Sequence, residues 1–97
     1  MNTILHVVAH IEALPGFEAE VLSVLNSYIA PTRAENGCVR YDLFQDLGDP
    51  KKFTFIEEWE SKADLDAHAQ SAHIAAGRVA LEGKKAPNWV QLLTQIG

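Results

Sequence analysis

His68 is the side chain whose type and position in this sequence are best suited to proton transfer. It lies about 60° from Leu65 around a predicted helix, on the side of the apolar stripe, so its imidazole should point towards the interior. A half-buried imidazole can take a proton from a weakly acidic substrate near neutral pH. The alternative is a hydrogen-bonded core histidine without a chemical role, and spacing alone favours that alternative.

Glu57 is a carboxylate on the aromatic face of a predicted strand. It shares that face with three aromatic residues, Phe53, Phe55 and Trp59. Burial of an unpaired carboxylate is costly or shifts its pKa. Two interpretations therefore stay open: Glu57 pairs with a base such as His68 or Arg40, or it lies at a sheet edge in water. Trp59 is expected to pack in the core, as large aromatic side chains usually do.

The remaining histidines and the cysteine do not predict a metal site. His6 and His10 share a strand face but stand about 13 Å apart at ~3.3 Å per residue, whereas zinc–nitrogen bonds are about 2 Å long. His68 and His73 diverge by about 140° on a continuous helix, which also fails to chelate one ion. Cys38 is the only cysteine, so we expect no internal disulfide and no cysteine-based metal motif.

The composition indicates one small globular domain, residues 1–97, and excludes several classes of function. The chain has 97 residues, 47% of them apolar, and a formal net charge of −5. Its basic residues are scattered, which argues against a nucleic-acid surface. No apolar run approaches the roughly 18–20 residues of a membrane-spanning helix, and the N-terminus lacks the features of a secretory signal. We therefore expect a cytoplasmic protein with no nucleic-acid or membrane partner.

The elements that must position these residues follow from the hydrophobic periodicity, the turn signals and the prolines. They comprise a strand over 3–13, a helix over 17–30 that Pro31 ends, strands over 38–46 and 52–60, a helical region over 62–83 and a final strand over 88–96. Ser61 is the expected N-cap of the second helical region, and an interruption is expected at Ser71.

The order β-α-β-β-α-β predicts an α+β fold of the ferredoxin-like split type. Such a sheet carries both helical regions on one face. The first strand is apolar on both faces, through Ile4, Leu5, Val7 and Val8. A second copy of the sheet would cover the open face, so we predict a homodimer built as a dimeric α+β barrel.

Several segments of the chain together resemble a known family. They are Gly37–Leu43 with Gln45-Asp46 and Asp49-Pro50, then Phe55-Ile56-Glu57-Glu58-Trp59, Ser61, Leu65, His68 and His73. This pattern is similar to the antibiotic biosynthesis monooxygenase superfamily, which includes quinol monooxygenases. The resemblance implies a dimer with a pocket between sheet and helices in each subunit. It also implies oxidation of a phenol, anthrone or hydroquinone by O₂ to a quinone, with no flavin, haem or metal cofactor.

The resemblance also implies roles for individual residues. His68 would be the base or proton relay and Glu57 its orienting or charge partner. The substrate would be contacted by Trp59 and Phe55 as a stacking wall, and by Tyr41, His73 and Arg78.

The sequence also bears on other activities within and beyond the superfamily. Haem-degrading members carry asparagine, tryptophan and histidine where this sequence has Ala9, His68 and Arg78, so haem degradation is not expected. A branch that isomerises phosphorylated autoinducer-2 shares residues that match Glu57, His68 and His73, and it stays an alternative. A binding protein for a small molecule, without catalysis, is the other alternative.

Overall fold

The structure, a computed structural model, describes residues 3–97 and confirms the predicted order of elements. Each helical region consists of two short helices. The elements are β1 (Leu5–Glu12), α1 (Glu18–Ser27), α2 (Ile29–Arg33), β2 (Cys38–Gln45), β3 (Lys52–Trp59), α3 (Lys62–Ala69), α4 (Ala72–Ala80) and β4 (Trp89–Leu93).

The four strands form one antiparallel sheet in the order β2-β3-β1-β4. Val7 of β1 and Tyr41 of β2 both lie opposite Glu57 of β3, and Ala9 of β1 lies opposite Phe55. Because residues directly opposite each other in a sheet share a face, this register places all of these side chains on the helix-covered face. The sheet thus presents Glu57 at its centre, between two neighbouring strands.

The first helical region does not end at Pro31. Pro31 is the third residue of α2, which continues to Arg33. The prediction was wrong because a proline in the first turn of a helix loses no hydrogen bond, since the backbone N–H groups there have no acceptor within the helix. The extra turn brings Thr32, which is fully buried, and the following loop with Glu35 beneath the second helical region.

The second helical region breaks where the sequence predicted. Residues Gln70 and Ser71 separate α3 from α4, and the backbone of Ser71 is extended, with φ −68° and ψ 153°. The Ser61 side chain caps α3 by accepting a hydrogen bond from the backbone N–H of Asp64 at 3.1 Å. The break allows α4 to take a new direction, which sets the orientation of His73.

The core lies between the helices and one face of the sheet. Its fully buried side chains include Trp59, Phe53, Phe55 and Leu25. The opposite sheet face carries apolar residues without cover, such as Phe44, which is 45% exposed. Within residues 3–97, no helix is long and apolar enough to cross a membrane. A cytoplasmic location stays a prediction.

Candidate active site

A cavity of about 480 Å³ opens between the sheet and the helices. Five of the residues predicted for the site line it: Tyr41, Phe55, Glu57, His68 and Arg78. Most of the remaining wall is aliphatic, and Tyr28, the residue that joins α1 to α2, also contributes to it. This volume is typical of pockets that take small molecules. The site therefore combines an apolar container with a few ionisable groups.

A carboxylate that the sequence did not predict holds His68 in place. The Nδ1 atom of His68 lies 2.6 Å from Oε1 and 3.1 Å from Oε2 of Glu35. Because a carboxylate only accepts, Nδ1 is assigned as the protonated donor. The other ring nitrogen, Nε2, makes no hydrogen bond to any residue within 3–97 and belongs to a side chain that lines the cavity. In the neutral ring, Nε2 is then the nitrogen that can accept a proton.

Neither interpretation of Glu57 is correct: it does not pair with His68 or Arg40, and it lies buried on an inner strand rather than at a sheet edge in water. Its side chain is only 4% exposed, and its Oε1 accepts a hydrogen bond from Nε1 of Trp59 at 2.9 Å. Burial raises the pKa of Glu57 to about 7; the Trp59 hydrogen bond opposes this rise and the negative charge of Glu35 adds to it. Glu57 is therefore a carboxyl group that can hold a proton near neutral pH.

Trp59 supports the site from behind rather than forming a wall of the cavity. Its side chain is fully buried, and its ring centroid lies 4.9 Å from that of His68. It is absent from the lining of the cavity, whereas Phe55 contributes to that lining. Phe55 thus lies where a wall of the cavity was predicted and Trp59 does not; stacking of a substrate on Phe55 stays a prediction. The role of Trp59 in this geometry is to fix Glu57 by hydrogen bonding and His68 by packing.

Tyr41 lies between the two ionisable groups on the floor of the cavity. Its ring stacks on Phe55 with centroids 4.5 Å apart and meets the edge of His68 at 5.4 Å. Burial, followed by the charge of Glu57, raises the pKa of the Tyr41 hydroxyl well above its ordinary value. The hydroxyl therefore stays protonated and can donate a hydrogen bond but cannot act as a base.

His73 comes close to His68, contrary to the divergence expected on one continuous helix. The two ring centroids are 6.0 Å apart. Nε2 of His73 lies 2.9 Å from Oγ1 of Thr32 and 3.7 Å from Oε1 of Glu35. One donor atom from each of Glu35, His68 and His73 lies within 4.8 Å of the others, a set that could hold a metal ion. His73 does not line the cavity, and its predicted contact with a substrate stays a prediction.

The sequence carried little signal for Glu35 and Thr32. Glu35 lies in the short connection between α2 and β2, just before Gly37, whose φ of +78° marks the turn. An acidic residue in a connection is usually solvated, and no periodicity singles it out. Thr32 follows a proline that was expected to end the helix. Only the folded geometry shows that these residues face His68 and His73.

A larger groove of about 680 Å³ lies on the open face of the sheet and its adjoining loops. Its ionisable residues include Glu12, Asp46 and Lys52, all of which are exposed. Exposed groups in water keep nearly ordinary reactivity, whereas buried pairs are typical of catalytic sites. The cavity around His68 is therefore the better candidate.

Comparison with known proteins agrees with this fold. A family model described as antibiotic biosynthesis monooxygenase matches residues 4–80. YcnE of Bacillus subtilis strain 168, provisionally named a monooxygenase, is 35% identical over 65 residues, which cover 67% of this chain and 68% of YcnE. The crystal structure of PA3566 from Pseudomonas aeruginosa matches with a TM-score of 0.95 and 33% identity, covering 100% of this chain and 98% of PA3566. The structure of Rv0793 from Mycobacterium tuberculosis matches with a TM-score of 0.90 and 27% identity, covering 98% and 97% of the two chains.

Proposed function

Because this chain belongs to the antibiotic biosynthesis monooxygenase family, we propose that it oxidises a phenol, anthrone or hydroquinone with O₂ to a quinone, without a resident cofactor. The observation that carries the proposal is the Glu35–His68 pair, whose free nitrogen belongs to a side chain lining an apolar cavity. Such a substrate needs only the loss of a proton to become a strong electron donor. The protein then has to supply a base, an acid and protection from water.

The first step in this proposal is proton transfer from the substrate to Nε2 of His68. The ring becomes an imidazolium, and the carboxylate of Glu35 stabilises its positive charge through Nδ1–H at 2.6 Å. The substrate anion remains beside the imidazolium, next to the aliphatic and aromatic part of the cavity wall, where their attraction is stronger than in water. Phe55 and Tyr41 offer aromatic surface against which the anion packs.

The second step is transfer of one electron from the substrate anion to O₂, which gives superoxide and a substrate radical. The two combine at carbon to a peroxide anion, which takes the proton held by His68 and becomes a hydroperoxide. Nε2 of His68 then takes the proton on that carbon, and cleavage of the O–O bond leaves a carbonyl group and releases the outer oxygen as water. One oxygen atom thus enters the product and the other leaves as water. Glu57, with a pKa raised to about 7, supplies a proton to the departing oxygen.

O₂ uptake by metal-stripped protein tests this proposal with a panel of anthrones and hydroquinones. The assay needs a protein-free blank, because these substrates autoxidise. We expect saturable uptake above the blank and one labelled oxygen atom in the product from ¹⁸O₂. We expect His68→Ala to lower kcat by roughly 10²–10⁴-fold, the usual contribution of a general base. Glu60→Gln is a matched control, because Glu60 is exposed and lies outside the cavity.

One result would refute the oxygenase, and a second would refute the role of His68 as its base. Uptake equal to the blank across the panel would favour the isomerase or the binding protein instead. Full turnover by His68→Ala would remove the base from the mechanism. Glu35→Gln separates the hydrogen bond to His68 from the charge of Glu35. The amide oxygen still accepts a hydrogen bond from Nδ1–H but does not neutralise the imidazolium. We therefore expect a lower kcat with little change in KM.

We further propose that a second copy of the chain covers the open face of the sheet. Val8 and Ile56 occupy neighbouring positions at the centre of that face, paired between β1 and β3. Phe44 and Trp89 extend the apolar surface towards the two edges and are 45% and 56% exposed. An apolar surface at the centre of a sheet is characteristic of an interface between subunits.

A further inference from the structure

Three candidate metal ligands meet behind the base. Glu35 comes from the connection before β2, His68 from α3 and His73 from α4. Their side chains are 20%, 9% and 22% exposed, so all three are largely withdrawn from water. Their donor atoms lie within 4.8 Å of one another. Two imidazoles and one carboxylate are a ligand set that zinc commonly takes in proteins.

The spacing of the donor atoms is close to what a tetrahedral zinc ion needs. Bonds of about 2.0–2.2 Å place neighbouring ligands about 3.3 Å apart. Oε2 of Glu35 is 3.1 Å from Nδ1 of His68, and Oε1 is 3.7 Å from Nε2 of His73. Only the 2.6 Å hydrogen bond between Oε1 and Nδ1 is shorter than an ion would allow. The donor atoms of all three residues lie within 4.8 Å of one another, so side-chain movements of up to about 1.5 Å bring them to this spacing, with a fourth position left for water.

The charge around Glu35 also leaves room for a cation. Within residues 3–97, the ion-pair partners of Glu35 are histidines only, and no lysine or arginine lies within 4 Å of its carboxylate. The carboxylate thus has no permanent positive partner. The whole chain carries a formal net charge of −5, which favours the approach of a cation.

We propose that Glu35, His68 and His73 form a binding site for Zn²⁺, and that the bound ion switches off the base. The second part of this proposal rests on the proposed function. Coordination through Nδ1 of His68 places the single proton of the neutral ring on Nε2. The nitrogen that takes the substrate proton then has no free lone pair. Zinc therefore inhibits from behind the cavity without occupying the substrate's place.

Binding has a structural cost that sets its strength. Nε2 of His73 has to give up its 2.9 Å hydrogen bond with Thr32, and Nδ1 of His68 has to give up its bond with Glu35. The site is therefore a reversible inhibitory site rather than one that the fold requires. This predicts that metal-stripped protein folds normally and that a chelator reverses the effect of zinc.

Equilibrium dialysis of metal-stripped protein against zinc chloride tests the site without any activity measurement. We expect one Zn²⁺ per chain, and at least tenfold weaker binding in Glu35→Gln and in His73→Gln. The control is the double variant His6→Gln, His10→Gln, which removes the other two histidines of the chain. Those two lie on β1 with their side chains on the open sheet face, and this control should bind zinc as the unaltered chain does.

Circular dichroism shows whether each variant is folded. Because His73 is partly exposed, we expect His73→Gln to disturb the fold least. Absence of stoichiometric binding to the unaltered chain would overturn the proposal. So would loss of binding in the His6→Gln, His10→Gln control with full binding retained in Glu35→Gln.

O₂ uptake provides a separate measurement for the inhibitory part. Zinc should lower the rate of the unaltered chain at the concentration that fills the site, and EDTA should restore it. His73→Gln should keep its own zinc-free rate at that zinc concentration. Zinc bound at the site with no effect on the rate would refute the inhibition. If no substrate supports O₂ uptake, the proposed function fails, while dialysis still decides whether the zinc site exists.

Discussion

Replacing Glu57 by glutamine should stabilise the protein at high pH and have little effect at low pH. Glu57 is 4% exposed, and burial raises its pKa from the ordinary value of 4.5 to about 7. Glutamine has nearly the same shape as the protonated acid, and its amide oxygen can still accept the hydrogen bond from Trp59. The substitution therefore removes the cost of a buried charge while it keeps the packing.

The sign and size of the effect follow from the two pKa values. Between about pH 4.5 and pH 7, the folded chain keeps the Glu57 proton while the unfolded chain loses it. The unfolded state then binds fewer protons, so the free energy of unfolding falls as the pH rises through this window. Each pKa unit corresponds to about 1.4 kcal/mol, so the total loss above pH 7 is about 3 kcal/mol. Glu57→Gln should not show this loss.

Urea denaturation at pH 4, 5.5 and 8, at one protein concentration, measures the effect. The gain in unfolding free energy of Glu57→Gln over the unaltered chain should grow by about 3 kcal/mol from pH 4 to pH 8. Glu60→Gln, at an exposed position, removes the same charge and should show no such growth. A gain for Glu57→Gln that is the same at all three pH values would refute the reasoning, because it would show that the carboxylate is not penalised by burial.

Two further predictions concern packing. A Cβ atom at Gly77 would overlap the ring and hydroxyl of Tyr28, so Gly77→Ala should cost about 1–3 kcal/mol of stability and lower the Tm. The control Gly48→Ala, in an open loop, should change the Tm much less. Equal Tm values for the two variants in calorimetry would contradict this prediction. If the open sheet faces of two copies pack together, light scattering should give a dimer for the unaltered chain and a monomer for Ile56→Lys. A monomeric unaltered chain, or a dimeric Ile56→Lys variant, would contradict this pairing.

The elements and the floor of the site could be predicted because they depend on local periodicity. Alternation along β3 and the antiparallel register place Phe55 and Glu57 on one face, and this is readable from the sequence. The N-cap at Ser61 follows in the same way from a side chain close to the first turn of its helix.

The partners of the histidines could not be predicted, because they depend on breaks in that periodicity. The divergence of about 140° between His68 and His73 applies only to one continuous helix; the break at Ser71 is predictable, but the direction that α4 takes after it is not. Glu35 reaches His68 from 33 positions away, across a connection whose path no propensity specifies. Similarly, the irregular pairing between Cys38 and Arg40 exposes Val39, which alternation would have placed beside Tyr41.

The two carboxylates of the site have different environments, and in the proposed mechanism this difference makes Glu57 the acid and Glu35 the partner of the base, His68. Glu35 is bound to an imidazole, while Glu57 is buried against an indole. The charge of Glu35 is also one cause of the raised pKa of Glu57. When His68 takes the substrate proton, its positive charge offsets that of Glu35, so the pKa of Glu57 falls. Glu57 thus becomes a stronger acid only after the base has acted, which is when the proposed hydroperoxide needs its proton.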